Sequence, residues 1–260
     1  MPNLNIINYC TTNAFRSVLV LCIMLIYTSG LLAQGKRILF LGDSITDGNW
    51  GGGGVKSSSE RNHWDQNHLF GSGFMYLSAA FYMGGYPEYK LEFFNRGISG
   101  NTLDDLSKRW QEDVLDIKPD VVSILIGTND IAQFVQSEKK SFDYALWSQT
   151  YATLIQQTLE KYPDVRIVLC TPFVARGERV KDERYVSLVT KLSVEVRQLA
   201  TAYGVTVVDF HALFAELENE HPRVASDYWL WDGVHPTAAA HQKMAELWRS
   251  VAGEYVTEHK

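Results

Sequence analysis

Short apolar runs alternate along this chain with longer stretches of helical period. The runs Arg37–Leu41, Leu91–Phe94, Val121–Ile126, Arg166–Cys170 and Val205–Asp209 are rich in Val, Ile, Leu and Phe. They lack strict apolar–polar alternation, the pattern of strands buried on both faces. Between them, Leu103 to Leu115 places Leu103, Leu106, Trp110 and Val114 on one helical face. Tyr144 to Tyr162 does the same with Trp147, Tyr151, Leu154, Ile155 and Leu159, and Tyr185 to Tyr203 with Leu188, Leu192, Val196 and Leu199. Such spacing predicts amphipathic helices. Gly204 is placed to stop the third, and Pro236 suits the first position of a last helix running past Trp248. Strand–helix alternation predicts a three-layer α/β/α sandwich on a mainly parallel, roughly five-stranded sheet. Ligands then bind beyond the carboxyl ends of the strands.

Two segments break the pattern. Residues 1–33 contain no Asp or Glu and one basic residue, Arg16, followed by an apolar run from Val18 to Tyr27 and then Thr28-Ser29-Gly30-Leu31-Leu32-Ala33, with a small residue at the end. That is the composition of a signal peptide cut after Ala33, which makes 34–260 the mature domain and predicts a secreted or periplasmic protein with no stable membrane insertion. An uncleaved signal anchoring the chain in a membrane is the alternative. The second break is Gly48 to Ser72, with Gly51–Gly54, Ser57–Ser59, Trp50 and Trp64. Loops of this length are functional or disordered.

Composition narrows the function. A net charge of −6 argues against a nucleic-acid partner, since binders of nucleic acid carry a basic face. Cys170 is the single cysteine after residue 33, so the mature chain has no internal disulfide, and its place in an apolar run predicts a buried thiol. His63, Asp65 and His68 could ligate a metal, but structural zinc sites use tighter ligand pairs, and no metal is expected. The glycine run before Lys56–Ser57 fails the phosphate-loop pattern because Val55 precedes the lysine.

Four blocks carry candidate chemistry. Ile38 to Gly48 runs an apolar strand into Gly42-Asp43-Ser44, so Ser44 is either an N-capping serine or an exposed nucleophile at a strand-to-helix turn. In Asn95-Arg96-Gly97-Ile98-Ser99-Gly100, Gly97 is a turn glycine or a backbone donor that approaches a ligand closely. Thr128-Asn129-Asp130 resembles an ordinary turn, although an amide such as Asn129 can donate to an oxygen turning anionic. Asp232 and His235 stand three apart in Asp232-Gly233-Val234-His235-Pro236, close enough for the carboxylate to hold one ring nitrogen while the other faces a serine.

The four blocks together, in this order, resemble the SGNH hydrolases, also called GDSL esterases. The resemblance covers nearly all of the mature chain and implies a flavodoxin-like sheet. It implies Ser44 as nucleophile, the amides of Ser44 and Gly97 with the Asn129 side chain as oxyanion donors, and His235 as base oriented by Asp232. No cofactor or metal is implied. No G-x-S-x-G motif occurs, which separates the chain from the common α/β-hydrolases. Trp50, Trp64 and Trp231, with Asp43, are the candidate substrate contacts; tryptophans near the motifs suit a saccharide, although packing explains them equally well. The expected activity is removal of an acetyl or other small acyl group from a carbohydrate, the substrate being a small-molecule or polysaccharide ester. The alternatives are a lipid or short-chain ester hydrolase, and a non-catalytic carbohydrate-binding protein on a hydrolase fold.

Overall fold

A computed structural model describes residues 35–48 and 70–258. The segment 1–33, Trp50, Trp64, and His63, Asp65 and His68 therefore lie outside the described residues. Strands β1 (Arg37–Gly42), β2 (Glu92–Gly97), β3 (Val121–Leu125), β4 (Arg166–Cys170) and β5 (Thr206–Val208) form one parallel sheet in the order β2-β1-β3-β4-β5. Helices α1 (Ser44–Asp47), α2 (Phe74–Gly85), α3 (Leu103–Lys108), α4 (Thr128–Val135), α5 (Tyr144–Lys161), α6 (Glu183–Tyr203), α7 (Phe210–Glu220), α8 (Ala238–Ala252) and α9 (Glu254–Thr257) connect or follow them. The chain leaves β1 outward to β2 and returns across it to β3, so a topological switch point lies between β1 and β3.

Both sheet faces are covered, as the continuous apolar runs require. Ile38 and Phe40 face one layer with Phe74, Met75, Phe210 and Trp248; Leu39 and Leu41 face the other with Leu106, Trp110, Tyr151 and Val196. Full burial of each such side chain contributes about 1.5–3 kcal/mol. The polar Ser123 is accepted inside β3 because its Oγ takes a hydrogen bond from Trp248 Nε1 at 2.9 Å. Cys170 Sγ lies 3.5 Å from the same oxygen, and burial pushes the thiol up to about 12. No helix among the described residues is long and apolar enough to cross a membrane.

Several boundaries differ from expectation for local reasons. β2 ends at Gly97 rather than Phe94, because Asn95 satisfies its amide inside the fold: Nδ2 donates to the carbonyls of Thr46 and Phe70 at 3.0 and 3.1 Å. The stretch Leu103–Leu115 is not one helix; α3 stops at Lys108 and a π turn occupies Gln111–Leu115. The helix expected from Pro236, α8, starts at Ala238, since Thr237 caps it and Pro236 instead pairs with Leu230 in an isolated bridge. Thr128-Asn129-Asp130 is the first turn of α4.

Candidate active site

The end of β1 feeds directly into α1. Asp43 caps that helix, its Oδ1 accepting from the Ile45 N–H at 3.0 Å, and Gly48 ends it with φ +61°. Ser44 is the first helical residue, so its own N–H has no intrahelical acceptor. Ser44 Oγ lies 2.9 Å from His235 Nε2, and His235 Nδ1 lies 2.7 Å from Asp232 Oδ2. A carboxylate only accepts, so Nδ1 carries the ring proton and Nε2 keeps a lone pair facing the serine hydroxyl.

Asp232 is held from several sides. Its Oδ1 accepts from the N–H groups of Val234 and His235 at 2.9 and 2.8 Å, and Arg179 Nε stands 2.8 Å from Oδ2. Burial alone would raise its pKa. The hydrogen bonds from the His235 amide, the His235 ring and the Val234 amide outweigh burial and hold the carboxyl below its ordinary value. Trp231 precedes it, 56% exposed, with its ring stacked beside His235 at 5.9 Å.

The two glycines of the second block have different surroundings, and this corrects the expectation for Gly97. Gly97 is packed against α1: a Cβ there would come 2.3 Å from Asp47 N, and its N–H donates to Asn95 Oδ1 at 2.9 Å. Its amide therefore serves the strand end and not a ligand. Gly100 lines the cleft beside Ser44 instead. It occupies the third position of the turn Ile98–Asn101, closed by Asn101 N–H to the Ile98 carbonyl at 3.1 Å, and its φ of +82° is the value a type II turn reserves for glycine. Its N–H has no partner among the described residues.

Asn129, opening α4, stands in the same cleft wall, with Nδ2 directed at Asp43 Oδ2 (3.3 Å) and at the Asn101 carbonyl (3.1 Å). Asp43, 1% exposed, is not a cleft residue as expected of a substrate contact; it supports Asn129 and the start of α1 from beneath. Burial pushes its carboxyl up to about 7, and that of Asp130 up to about 6. Asp130 accepts from the Leu103 N–H and from Trp147 Nε1.

Ser44, Gly100, Asn129, Trp231 and His235 share a cleft of about 850 Å³ that also takes in Gln136, Arg179, Tyr185 and His241. Sequence reasoning missed Arg179 and His241. Arg179 sits in the segment after β4, with no motif around it, and reaches Asp232 only through folding. His241 is one of the residues on the first turns of α8; its Nδ1 accepts from the Phe74 N–H at 3.1 Å, which leaves the proton on Nε2. Burial, and then the neighbouring His235, pull its pKa down to about 4, so it faces the cleft as a neutral ring.

The order of nucleophile turn, glycine turn, amide and Asp–His loop around one cleft has counterparts in known proteins. Residues 40–243 match the GDSL-like Lipase/Acylhydrolase family. The chain belongs to that family. An acetylxylan esterase from Geobacillus stearothermophilus is 33% identical over 228 residues, covering 86% of this chain and 98% of that enzyme. A GDSL-like lipase from Parabacteroides merdae superposes with a TM-score of 0.74 at 32% identity, over 85% of this chain and 96% of the other. A solved Geobacillus stearothermophilus acetylxylan esterase superposes at 0.69 with 30% identity, over 88% and 99%. Its catalytic mutants replace a serine, an aspartate and a histidine, the last two being three residues apart, the spacing of Asp232 and His235. Like those relatives, this GDSL-family chain is a carboxylic ester hydrolase of the Ser-His-Asp type.

Proposed function

We propose that this hydrolase removes acetyl groups from a xylan-type polysaccharide or its oligosaccharides, through an acetyl-enzyme on Ser44. The observation that carries the assignment of residues is the unbroken hydrogen-bonded line from Ser44 Oγ through His235 to the buried Asp232. His235 Nε2 takes the Ser44 proton as Oγ bonds to the acetyl carbon. The resulting oxyanion receives hydrogen bonds from the N–H groups of Ser44 and Gly100 and from Asn129 Nδ2, whose second hydrogen turns to it from the longer contact with Asp43 Oδ2 while the first stays on the Asn101 carbonyl. Collapse breaks the bond to the sugar oxygen, which leaves with the proton from His235. Water then attacks the acetyl-enzyme, His235 again taking and returning a proton, and acetic acid departs. Asp232 keeps the Nδ1–H tautomer and stabilises the imidazolium.

The substrate class rests on the acetylxylan esterase likeness and on the cleft itself. Arg179, Gln136, His241 and Asn129 give its wall a polar character suited to hydroxyl groups, and Trp231 offers an exposed ring on which a pyranose can stack. A binding protein without activity has no use for a serine aligned on a carboxylate-held imidazole. The segment 1–33 is proposed as the export signal, 34–260 as the mature domain, and a secreted or periplasmic location follows. The deciding experiment measures acetate release from acetylated xylo-oligosaccharides beside p-nitrophenyl esters of increasing acyl length. Preference for butyrate or longer esters, with no acetate released from the saccharide, would overturn the substrate; failure to label with a fluorophosphonate would overturn the nucleophile.

A further inference from the structure

Arg109 stands apart from the reaction described above. Its guanidinium is nevertheless tied to each segment that supplies an oxyanion donor. Nε donates to Asn101 Oδ1 at 2.9 Å, Nη1 to the Arg96 carbonyl at 2.9 Å, and Nη2 to the Gly42 carbonyl at 3.3 Å. Gly42 closes β1 two residues before Ser44, and its carbonyl also accepts from Ile98 N–H at 3.0 Å. Ile98 begins the turn that carries Gly100, and Asn101 ends it. The Asn101 carbonyl in turn accepts from Asn129 Nδ2. One planar group thereby fixes both ends of the Gly100 turn, the strand end before Ser44 and, through Asn101, the Asn129 amide.

The guanidinium is itself held still. Asp113 is fully buried, one carboxylate oxygen pairing with Arg109 Nη1 and the other lying 3.3 Å from Arg96 Nε. Asp113 belongs to the π turn, and its N–H donates to the Arg109 carbonyl at 2.9 Å, which returns the carboxylate over its own arginine. Such turns often mark functional sites. A rigid fork of donors suits three fixed oxygens in a way that a lysine point charge does not.

We propose that Arg109 is a positioning residue of the oxyanion hole, acting through Asn101 and the main chain of Gly42 and Arg96 without touching substrate. This rests on the assignment of Ser44, Gly100 and Asn129 as the donors. An oxyanion hole works only where its donors meet the developing charge at hydrogen-bond distance, so loosening the frame lowers turnover more than ground-state binding.

The test compares Arg109→Lys, Asn101→Ala, Asn101→Asp and Asn129→Ala in the full chain, by kcat and KM on p-nitrophenyl acetate and by urea unfolding. Asn101→Ala removes one acceptor of Arg109 at a half-buried site and leaves the other contacts of the guanidinium, so it stays folded even where Arg109→Lys does not. Both are expected to lower kcat about tenfold or more with KM within about twofold, and Asn101→Asp, which keeps an oxygen for Nε, to recover most of the loss. Asn101→Ala at wild-type kcat, or with a raised KM alone, overturns the proposal, as does Asn101→Asp no better than Asn101→Ala. If Asn129→Ala lowers kcat while Asn101→Ala does not, the donors stand and only the role of Arg109 fails. If Asn129→Ala leaves kcat unchanged, the donor assignment fails, and with it the hole that Arg109 would set.

Discussion

Replacing Asp43 by Asn should stabilise the protein at high pH and not at low pH. The carboxyl is 1% exposed, and burial pushes its pKa from 3.8 to about 7, with Asp130 and Asp47 adding repulsion in the same direction. Between those two values the folded state holds a proton that the unfolded chain has released. Stability must therefore fall as pH rises through that window, with no cost below about pH 4 and the full cost above about pH 7. At about 1.4 kcal/mol per pH unit, the cost reaches about 4 kcal/mol, an upper figure if water relaxes around the charge. Asparagine keeps an oxygen for the Ile45 N–H and cannot ionise. Urea unfolding of both proteins at about pH 4 and about pH 9 measures the difference between them, in which every other titrating group largely cancels. The acid-side difference carries the cost of facing an amide to Asn129 Nδ2, so only its change with pH is diagnostic. The variant should gain on the wild type by several kcal/mol across the window with unchanged m-values. A difference independent of pH, or one that moves the other way, would refute the claim that Asp43 is buried at the expense of stability.

Ser44→Ala should lose on the order of 10³-fold or more in turnover while its unfolding curve stays that of the wild type, and undiminished hydrolysis would remove it as nucleophile. Asp232→Asn should cost about 10³-fold or more in kcat by allowing the wrong tautomer. Since its pKa is held below the usual value, the stability Asp232 contributes is present above about pH 4 and disappears as pH falls through the lowered folded value. The gap between wild type and Asp232→Asn should accordingly narrow in acid. Gly97→Ala and Gly100→Ala separate the two glycines: the first forces a Cβ against Asp47 N and should destabilise by about 1–3 kcal/mol or more with the oxyanion donors intact, while the second meets no neighbouring atom but holds alanine at a φ of +82°, costing about 1 kcal/mol, and should lower kcat well beyond what that strain explains. The reverse pattern, read by denaturant midpoint and turnover, would restore Gly97 as the donor. Trp231→Ala should raise KM for an acetylated xylo-oligosaccharide by roughly tenfold, a stacking contribution of about 1.4 kcal/mol, and leave p-nitrophenyl acetate within twofold.

What could be read in advance follows from how far each feature reaches along the chain. The parallel sheet was legible because strands covered on both sides must be continuously apolar, and the five runs announce themselves. Ser44, Asp232 and His235 were singled out by the resemblance carried by the four blocks together; taken alone, Ser44 reads equally as an N-capping serine, while the three-residue spacing of Asp232 and His235 allows their contact without assigning it a role. Gly97 and Gly100 could not be told apart: both are glycines in one block, and only the neighbouring helix shows which has room beside it. The apolar run of β2 stops at the polar Asn95, whose burial is permitted by carbonyls from Thr46 and Phe70 that no local pattern reveals. Arg109 and Arg179 stayed hidden for the same reason, their partners Gly42 and Asp232 lying 67 and 53 residues away along the chain. The helices α2, α4 and α7 also went unread. In α4 the opening Thr128-Asn129-Asp130 has the residues of a turn, which a helix start shares.

The serine and its histidine are separated by 191 residues, a span that contains four of the five strands. On a ribosome, which releases the amino end first, the nucleophile emerges early and its base almost at the end. A chain that stops before His235 has no means of taking the serine's proton, and it also lacks α8, whose Trp248 covers Phe40 and satisfies Ser123. Ester cleavage thus reports on completed synthesis: the segment carrying His235 is what turns an ordinary hydroxyl into a reagent, and products of premature termination or of proteolysis before His235 would be inactive and not partly active.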